Sequence, residues 1–219
     1  MFVQHPAPPS IDPVVVEALM QVQTSTVGHQ RDYGFPKGLL PLDRTQKFVG
    51  CAITVRLPHL DSTALHVAAD QMRPGDVLVV DQSGDNRSAF GGMVSFTAAH
   101  NGAVGAVIAG YINDVQEILE LGLPVFSAGV SAHTTRILGI EGAINVPITV
   151  GGAVICPGDV IMGDADGIAV ISPDEALSLA SALQAWEMRE PALKEKIRTG
   201  TKLSDMSGAA DLFRTTEAN

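Results

Sequence analysis

Aromatic residues are scarce: they make up 5% of the 219-residue chain, with a single tryptophan. A core of stacked rings is therefore excluded, and the interior has to be assembled from Ala, Val, Ile and Leu. Basic residues are also few. Lys and Arg number 14 against 24 Asp and Glu, a formal net charge of −10. A surface of that sign repels phosphate backbones, so no direct nucleic-acid partner is expected. Cysteine is nearly missing. Cys51 and Cys156 lie far apart and form no C-x-x-C pair, which speaks against a disulfide framework or a structural zinc site and for a reducing, cytoplasmic setting. The longest apolar run, Ala103 to Ala109, falls far short of the roughly 20 residues of a membrane span. The start, Met1-Phe2-Val3-Gln4-His5-Pro6, has neither the basic nor the apolar region of a signal peptide. A soluble cytosolic protein is expected.

Glycine, by contrast, is abundant. Its 22 residues exclude a helical coiled coil. Hydrophobic residues at 46% with charged residues at 17% suit a filled core rather than disorder. At about 150 residues per domain, the length predicts one domain, or one domain with an appended arm.

Along the chain, Pro-rich residues 1–11 read as a loose segment. Asp12-Pro13 reads as an N-cap and a first-turn proline, opening a helix to about Val27. Residues 28–50 show little periodicity, with Gly34, Pro36, Gly38 and Pro41 as breakers. Strands are predicted over 50–57, 77–80, 104–109 and 123–126. Helices are predicted over 62–72, from Gly91-Gly92 to Asn101-Gly102, and from Asp114 to Gly122, where Asp114 and Glu117 have capping-box spacing. Beyond Gly142 the pattern turns to β: 144–150, 153–155, 160–162 and 168–171, punctuated by Gly-Gly, Pro-Gly and Asp-Gly. Residues 173–200 read as helix, kinked or restarted at Pro191. Pro74-Gly75-Asp76 and Pro157-Gly158-Asp159 each feed a strand ending in Asp, an echo that turn chemistry explains. The pattern predicts a layered α/β domain over 12–172, a small β barrel or sandwich packed against helices, and a helical arm over 173–219.

Several chemistries find no support. The chain has no G-x-x-x-x-G-K-[ST], no G-x-G-x-x-G after a strand, no H-E-x-x-H and no G-x-S-x-G. His133, close to Ser131, reads as a solvated loop residue. The informative stretch is Gly91 to Asp114. A helix opening at Gly91-Gly92 presents the backbone N–H groups of Gly92, Met93 and Val94 outward, a seat for a carboxylate or phosphate. Asn113 and Asp114 follow a strand, and ligands bind at the C-terminal ends of strands in α/β sheets. The same residues also read as plain architecture, Asp114 as an N-cap and Gly91-Gly92 as a tight turn.

A resemblance shifts that balance. Val80-Asp81, Gly84, Ala89, Gly91, Ala99, Gly102, Gly105, Val107, Gly110, Asp114-Val115 and Leu121-Gly122 resemble the RraA-like family, as do Pro157-Gly158-Asp159 and Asp164-Ala165-Asp166-Gly167-Ile168. The resemblance runs from about Asp12 to Gly200. That family contains 4-hydroxy-4-methyl-2-oxoglutarate/4-carboxy-4-hydroxy-2-oxoadipate aldolases and the RraA regulators of ribonuclease E. It implies a layered β/β/α, swivelling-domain-like fold and a homotrimer or dimer of trimers with sites at subunit interfaces. It also implies that Asp114 holds Mg²⁺ or Mn²⁺, that Gly91, Met93 and Val94 seat a 2-oxo acid's carboxylate, and that Glu190, ten residues before Gly200, reaches a neighbour's metal through water. Members also carry the label demethylmenaquinone methyltransferase; the chain has no glycine-rich adenosylmethionine loop, and the label is not adopted.

Two positions depart from the family pattern. Gly92 stands where an acidic residue belongs, and Asn113 replaces an Arg. A retro-aldol cleavage leaves a pyruvate enolate, which a metal stabilises as a Lewis acid. Losing a cationic donor beside it lowers rate by roughly 10²–10³, since Asn113 donates only a neutral hydrogen bond. Asp85, Arg87 and His29 are the candidate substitutes. Two functions follow: a metal-dependent lyase giving pyruvate from a 4-hydroxy-2-oxo acid or an oxaloacetate-type acid, or a non-catalytic regulator binding a ribonuclease or other protein.

Overall fold

The computed structural model describes residues 1–58, 60–84 and 86–216. The chain opens with strand β1 (Phe2–Gln4), helix α1 (Pro13–Met20), helix α2 (Thr24–Gly28) and the short strand β2 (Leu40–Pro41). Residues 1–11 are not all loose: β1 pairs in parallel with β8 (Gly142–Ile144) and forms one edge of the main sheet. Asp12 caps α1 as its sequence predicts, accepting the N–H of Val14 at 2.9 Å. The helix expected to run to Val27 divides in two. Thr24 breaks away to give its N–H and hydroxyl to the buried carboxylate of Asp164, at 2.7 and 2.6 Å, a partner 140 positions distant that no local pattern reveals.

The sheet is organised by β3 (Phe48–Leu57), buried along its length except at Arg56, as expected of a strand covered on both faces. Three strands run parallel to it in spatial order: β4 (Asp76–Gln82), β6 (Gly105–Ile112) and β7 (Val125–Val130). The connections carry α3 (Thr63–Asp70), then β5 (Ser88–Phe90) with α4 (Gly92–His100), then α5 (Val115–Leu121). Because the strand order advances in one direction, right-handed crossovers put all three helices on one face. Their apolar sides enclose Leu65, Leu78, Ile108, Ile112 and Ile118, each contributing about 1.5–3 kcal/mol by burial.

Beyond α5 come β9 (Ile148–Val150), β10 (Ala153–Ile155), β11 (Val160–Gly163) and β12 (Ile168–Ile171). The strand expected over 144–150 is interrupted, because Asn145 turns left-handed at φ 57 and Pro147 cannot donate to a ladder. The first half of β3 pairs with β11 and its last turn with β8, so the sheet splits there into a second layer. The β9–β10 and β11–β12 hairpins enclose a second core with Phe48, Val79 and Phe126. The two Pro-Gly-Asp turns share one device: Asp76 accepts the N–H of Arg73 at 2.9 Å, and Asp159 that of Cys156 at 2.8 Å. They deliver β4 and β11 to opposite edges of β3, both meeting Cys51.

Helices α6 (Pro173–Glu187), α7 (Glu190–Arg198), α8 (Leu203–Met206) and α9 (Ala209–Thr216) complete the chain. The break at Pro191 occurs as its sequence predicts. Residue 172 is no structural boundary, however, because α6 buries Ala176, Ala180 and Leu183 against α1 and α2 in a third core. Only from α7 onward does the arm leave the body. No helix among the described residues is long and apolar enough to cross a membrane.

Candidate functional site

The site grows from the end of β6. Its buried residues deliver Asn113 and Asp114 to the C-terminal edge of the parallel sheet, next to the start of α4. Asn113 is tied in by its backbone N–H, which donates to the carbonyl of Phe90 at 3.1 Å. Asp114 occupies the N-cap position of α5, yet its backbone is left-handed (φ 53, ψ 41) and its side chain makes no bond to its own helix. A left-handed non-glycine residue costs roughly 1–2 kcal/mol and marks a place where other contacts override local preference. Here the overriding contact is specific. The Oδ2 of Asp114 accepts the N–H of Gly92 at 2.9 Å, capping α4 across a gap of 22 positions. The capping box predicted for Asp114 and Glu117 does not form, because the carboxylate it requires faces the other helix.

Gly91 precedes α4 in extended conformation and has no side chain with which to cap it. The first intrahelical bond is from Ser95 N–H to the Gly91 carbonyl, at 2.9 Å. Helix geometry therefore leaves the N–H groups of Gly92, Met93 and Val94 without carbonyl partners. Asp114 takes the first, so the predicted anion seat is reduced to Met93 and Val94. Gly91 is hemmed in by short side chains, whereas at Gly92 the near atoms are the movable end of exposed Glu117. A Cβ at Gly91 would lie 2.7 Å from Asn113 Oδ1 and from Asp114 Oδ2, and one at Gly92 would overlap Glu117 Oε2 and stand 3.5 Å from Asp114 Oδ2. The two missing side chains open a cradle into which Asn113, Asp114 and Glu117 project.

Two members of this group escaped the sequence reading. Ser88, buried on β5, donates its hydroxyl to Asn113 Oδ1 at 2.5 Å. That contact ties the Asn113 side chain to β5; nothing in the sequence links positions 88 and 113. Glu117 had a signal, since i and i+3 share a helix face, but the spacing suggested a cap instead.

Other expected residues lie elsewhere. Glu190 is on α7, where it pairs with Lys194 at 2.8 Å, and nothing within one chain brings it to Asp114. His29 stacks on Trp186, with ring centroids 5.7 Å apart, in the α1–α2–α6 layer. Arg87 contacts the ring of His133 and the carbonyl of Thr134. Asp85 lies outside the described residues. Among the described residues no three His, Cys, Asp or Glu side chains are grouped to hold a metal ion by themselves.

The family model described as RraA-like, Aldolase/RraA, matches residues 14–170. The chain belongs to that family. A protein of Halalkalibacterium halodurans named "Putative 4-hydroxy-4-methyl-2-oxoglutarate aldolase" is 38% identical over 162 residues, covering 72% of this chain and 77% of that protein. Among solved structures, an uncharacterized protein of Pseudomonas syringae matches with a TM-score of 0.79 at 25% identity, covering 95% of this chain and 99% of that one. Streptomyces coelicolor RraAS2, described as an unusual member of the RNase ES inhibitor RraA family, matches with a TM-score of 0.74 at 26% identity, covering 88% and 98%. The layered RraA-type α/β fold is thus the fold of this chain, and the family contains both aldolase-named and inhibitor-named members.

Proposed function

We propose that this RraA-like chain is a divalent-metal-dependent lyase that releases pyruvate from a 2-oxo acid, by retro-aldol cleavage of a 4-hydroxy-2-oxo acid or by decarboxylation of an oxaloacetate-type acid. The observation that carries this reading is Asp114, held left-handed so that its carboxylate lies over the N-terminus of α4 rather than on its own helix. The donor set fits Mg²⁺ or Mn²⁺. It is all oxygen, as hard dications require, and the missing Cβ atoms of Gly91 and Gly92 let the Asp114 and Glu117 carboxylates come up to the start of α4. With so few protein ligands, such an ion would retain waters, as Mg²⁺ commonly does. When bound, the ion supplies Lewis-acid stabilisation of the enolate charge.

The chain's own groups divide the remaining work. Asp114 holds the ion. The N–H groups of Met93 and Val94, at the positive end of α4, bind the substrate carboxylate. The NH₂ of Asn113, whose side chain Ser88 ties to β5, donates to the 2-oxo oxygen. In the cleavage the C4 hydroxyl loses its proton, the C3–C4 bond breaks toward the 2-oxo group, and C3 is then protonated to give pyruvate. Asn113 is neutral, so this site has a substrate range different from that of enzymes with Arg there. In a homotrimer or dimer of trimers, Glu190 of the partner subunit would complete the ion's surroundings.

The test is a lactate-dehydrogenase-coupled assay with Mg²⁺ or Mn²⁺ on a panel of 4-hydroxy-2-oxo acids and oxaloacetate. Metal-dependent pyruvate release, abolished by EDTA, is expected. No release across the panel, with no Mn²⁺ bound, overturns the reading. A second reading, a regulator that binds a ribonuclease, is supported by the likeness to RraAS2 and by exposed Met93 and Phe96 beside the site. Retention of a degradosome-type ribonuclease in a pull-down, without pyruvate release, supports that alternative.

A further inference from the structure

The position after Gly91 has no side chain, yet the space that side chain would occupy holds a carboxylate. Glu117, one turn into α5, reaches across to α4, and its Oε2 sits where a Gly92 Cβ would stand. Asp114 Oδ2 is 3.5 Å from the same point. Two negative groups from one helix thus converge on the first residue of another. Among the described residues no lysine or arginine pairs with either of them. A cavity of about 330 Å³ opens at this point, walled by Gly92, Met93, Phe96, Glu117, Glu120 and Leu121. Glu117 is solvent-exposed and free to reach other places; its carboxylate nevertheless lies in the gap that glycine leaves.

We infer that Glu117 is the second acidic group of the site, supplying from α5 the carboxylate that Gly92 does not supply from α4, and that together with Asp114 it would hold the divalent ion's water shell. The inference rests on the lyase reading for the presence of the ion. It adds a reason for Gly92 that helix formation does not give. Glycine is a poor helix residue, and at this helical position, with no positive φ, alanine would suit the backbone better. What stands in the place of a Gly92 Cβ is the movable end of Glu117, which the glycine lets come this close. Glu117 is thereby a positioning residue, acting on the ion's waters rather than on substrate.

Mn²⁺ affinity, read from the electron paramagnetic resonance signal of the free ion in titrations of the full chain, tests this apart from activity. Glu117→Gln is expected to weaken binding about 10- to 100-fold, the usual effect of losing a group in a metal's outer shell, with no change in melting temperature. Gly92→Ala, which displaces the Glu117 carboxylate, should weaken Mn²⁺ binding while leaving the fold as stable or more so. The double variant Gly92→Asp/Glu117→Gln, which moves the acid back to α4, should recover most of the lost affinity. Unchanged Mn²⁺ affinity in Glu117→Gln overturns the inference and leaves the lyase reading standing. No Mn²⁺ binding by the unaltered chain overturns both.

Discussion

The carboxylate of Asp114 accepts the N–H of Gly92 at 2.9 Å, so the residue that begins α5 caps α4. This one bond joins the two elements that build the site. It also places a negative charge where a helix dipole favours it, and it explains how Asp114 is held in a left-handed conformation.

Replacement of Asp114 separates its two duties. Asp114→Asn keeps an oxygen to accept the Gly92 N–H and a residue type that tolerates the left-handed region. Its melting temperature should stay close to that of the unaltered protein, while Mn²⁺ binding and pyruvate release are lost. Asp114→Ala loses the cap as well, at a cost of about 1 kcal/mol, and should unfold at lower urea. Mn²⁺ titration and urea denaturation of both variants check this; an Asp114→Asn protein that binds Mn²⁺ normally removes the metal role.

Ser88 acts through Asn113. In Ser88→Ala the amide loses the hydroxyl that ties it to β5, while the backbone bonds of Ser88 to His133 and Thr135 remain. The fold should lose about 1 kcal/mol, the net value of one hydrogen bond. The kcat for pyruvate release should fall about tenfold with KM little changed, because the contact strengthens as charge develops on the substrate oxygen. A rise in KM with constant kcat would place Ser88 in ground-state binding instead.

Asp61 predicts the acid limit of the fold. Its buried carboxylate accepts N–H groups of Thr63, Leu138 and Ile140 at 3.0, 3.1 and 2.7 Å, and the Thr63 hydroxyl at 2.5 Å. Burial alone would raise its pKa, but these donors outweigh burial and hold it well below the ordinary carboxylate range. A folded pKa below the unfolded value of about 3.9 gives stability that is complete above that pH and is lost as pH falls toward the folded pKa. Asp61→Asn should cost about 1.5–3 kcal/mol at neutral pH, the value of hydrogen bonds to a charged group. Urea midpoints measured from about pH 7 to about pH 3 should differ by a constant amount above about pH 4 and begin to approach one another below it. Parallel curves would show that Asp61 does not supply the acid sensitivity.

Much of the architecture was legible in short stretches of sequence. The apolar run at 77–80 lies inside β4, that at 104–109 enters β6 one residue late, and the Pro-Gly-Asp turns close as turn chemistry requires. Asp12 caps α1, and Pro191 restarts a helix. Failures occurred where a distant partner intervened. Asp164 draws Thr24 out of a continuous helix, and β8 recruits Phe2–Gln4 from a segment whose prolines suggested no structure.

The sequence by itself determined the family, the alternation of strands and helices, and the stretch from Gly91 to Asp114 as the place to look. Hydrophobic period and turn residues act over a few positions, and such information survives in one dimension. Only the tertiary structure decided that Asp114 serves α4 instead of α5, that Ser88 meets Asn113, and that Glu117 fills the space above Gly92. Each of those depends on two helices and a strand edge meeting at a few ångströms, and that distance is set by the packing of the whole core.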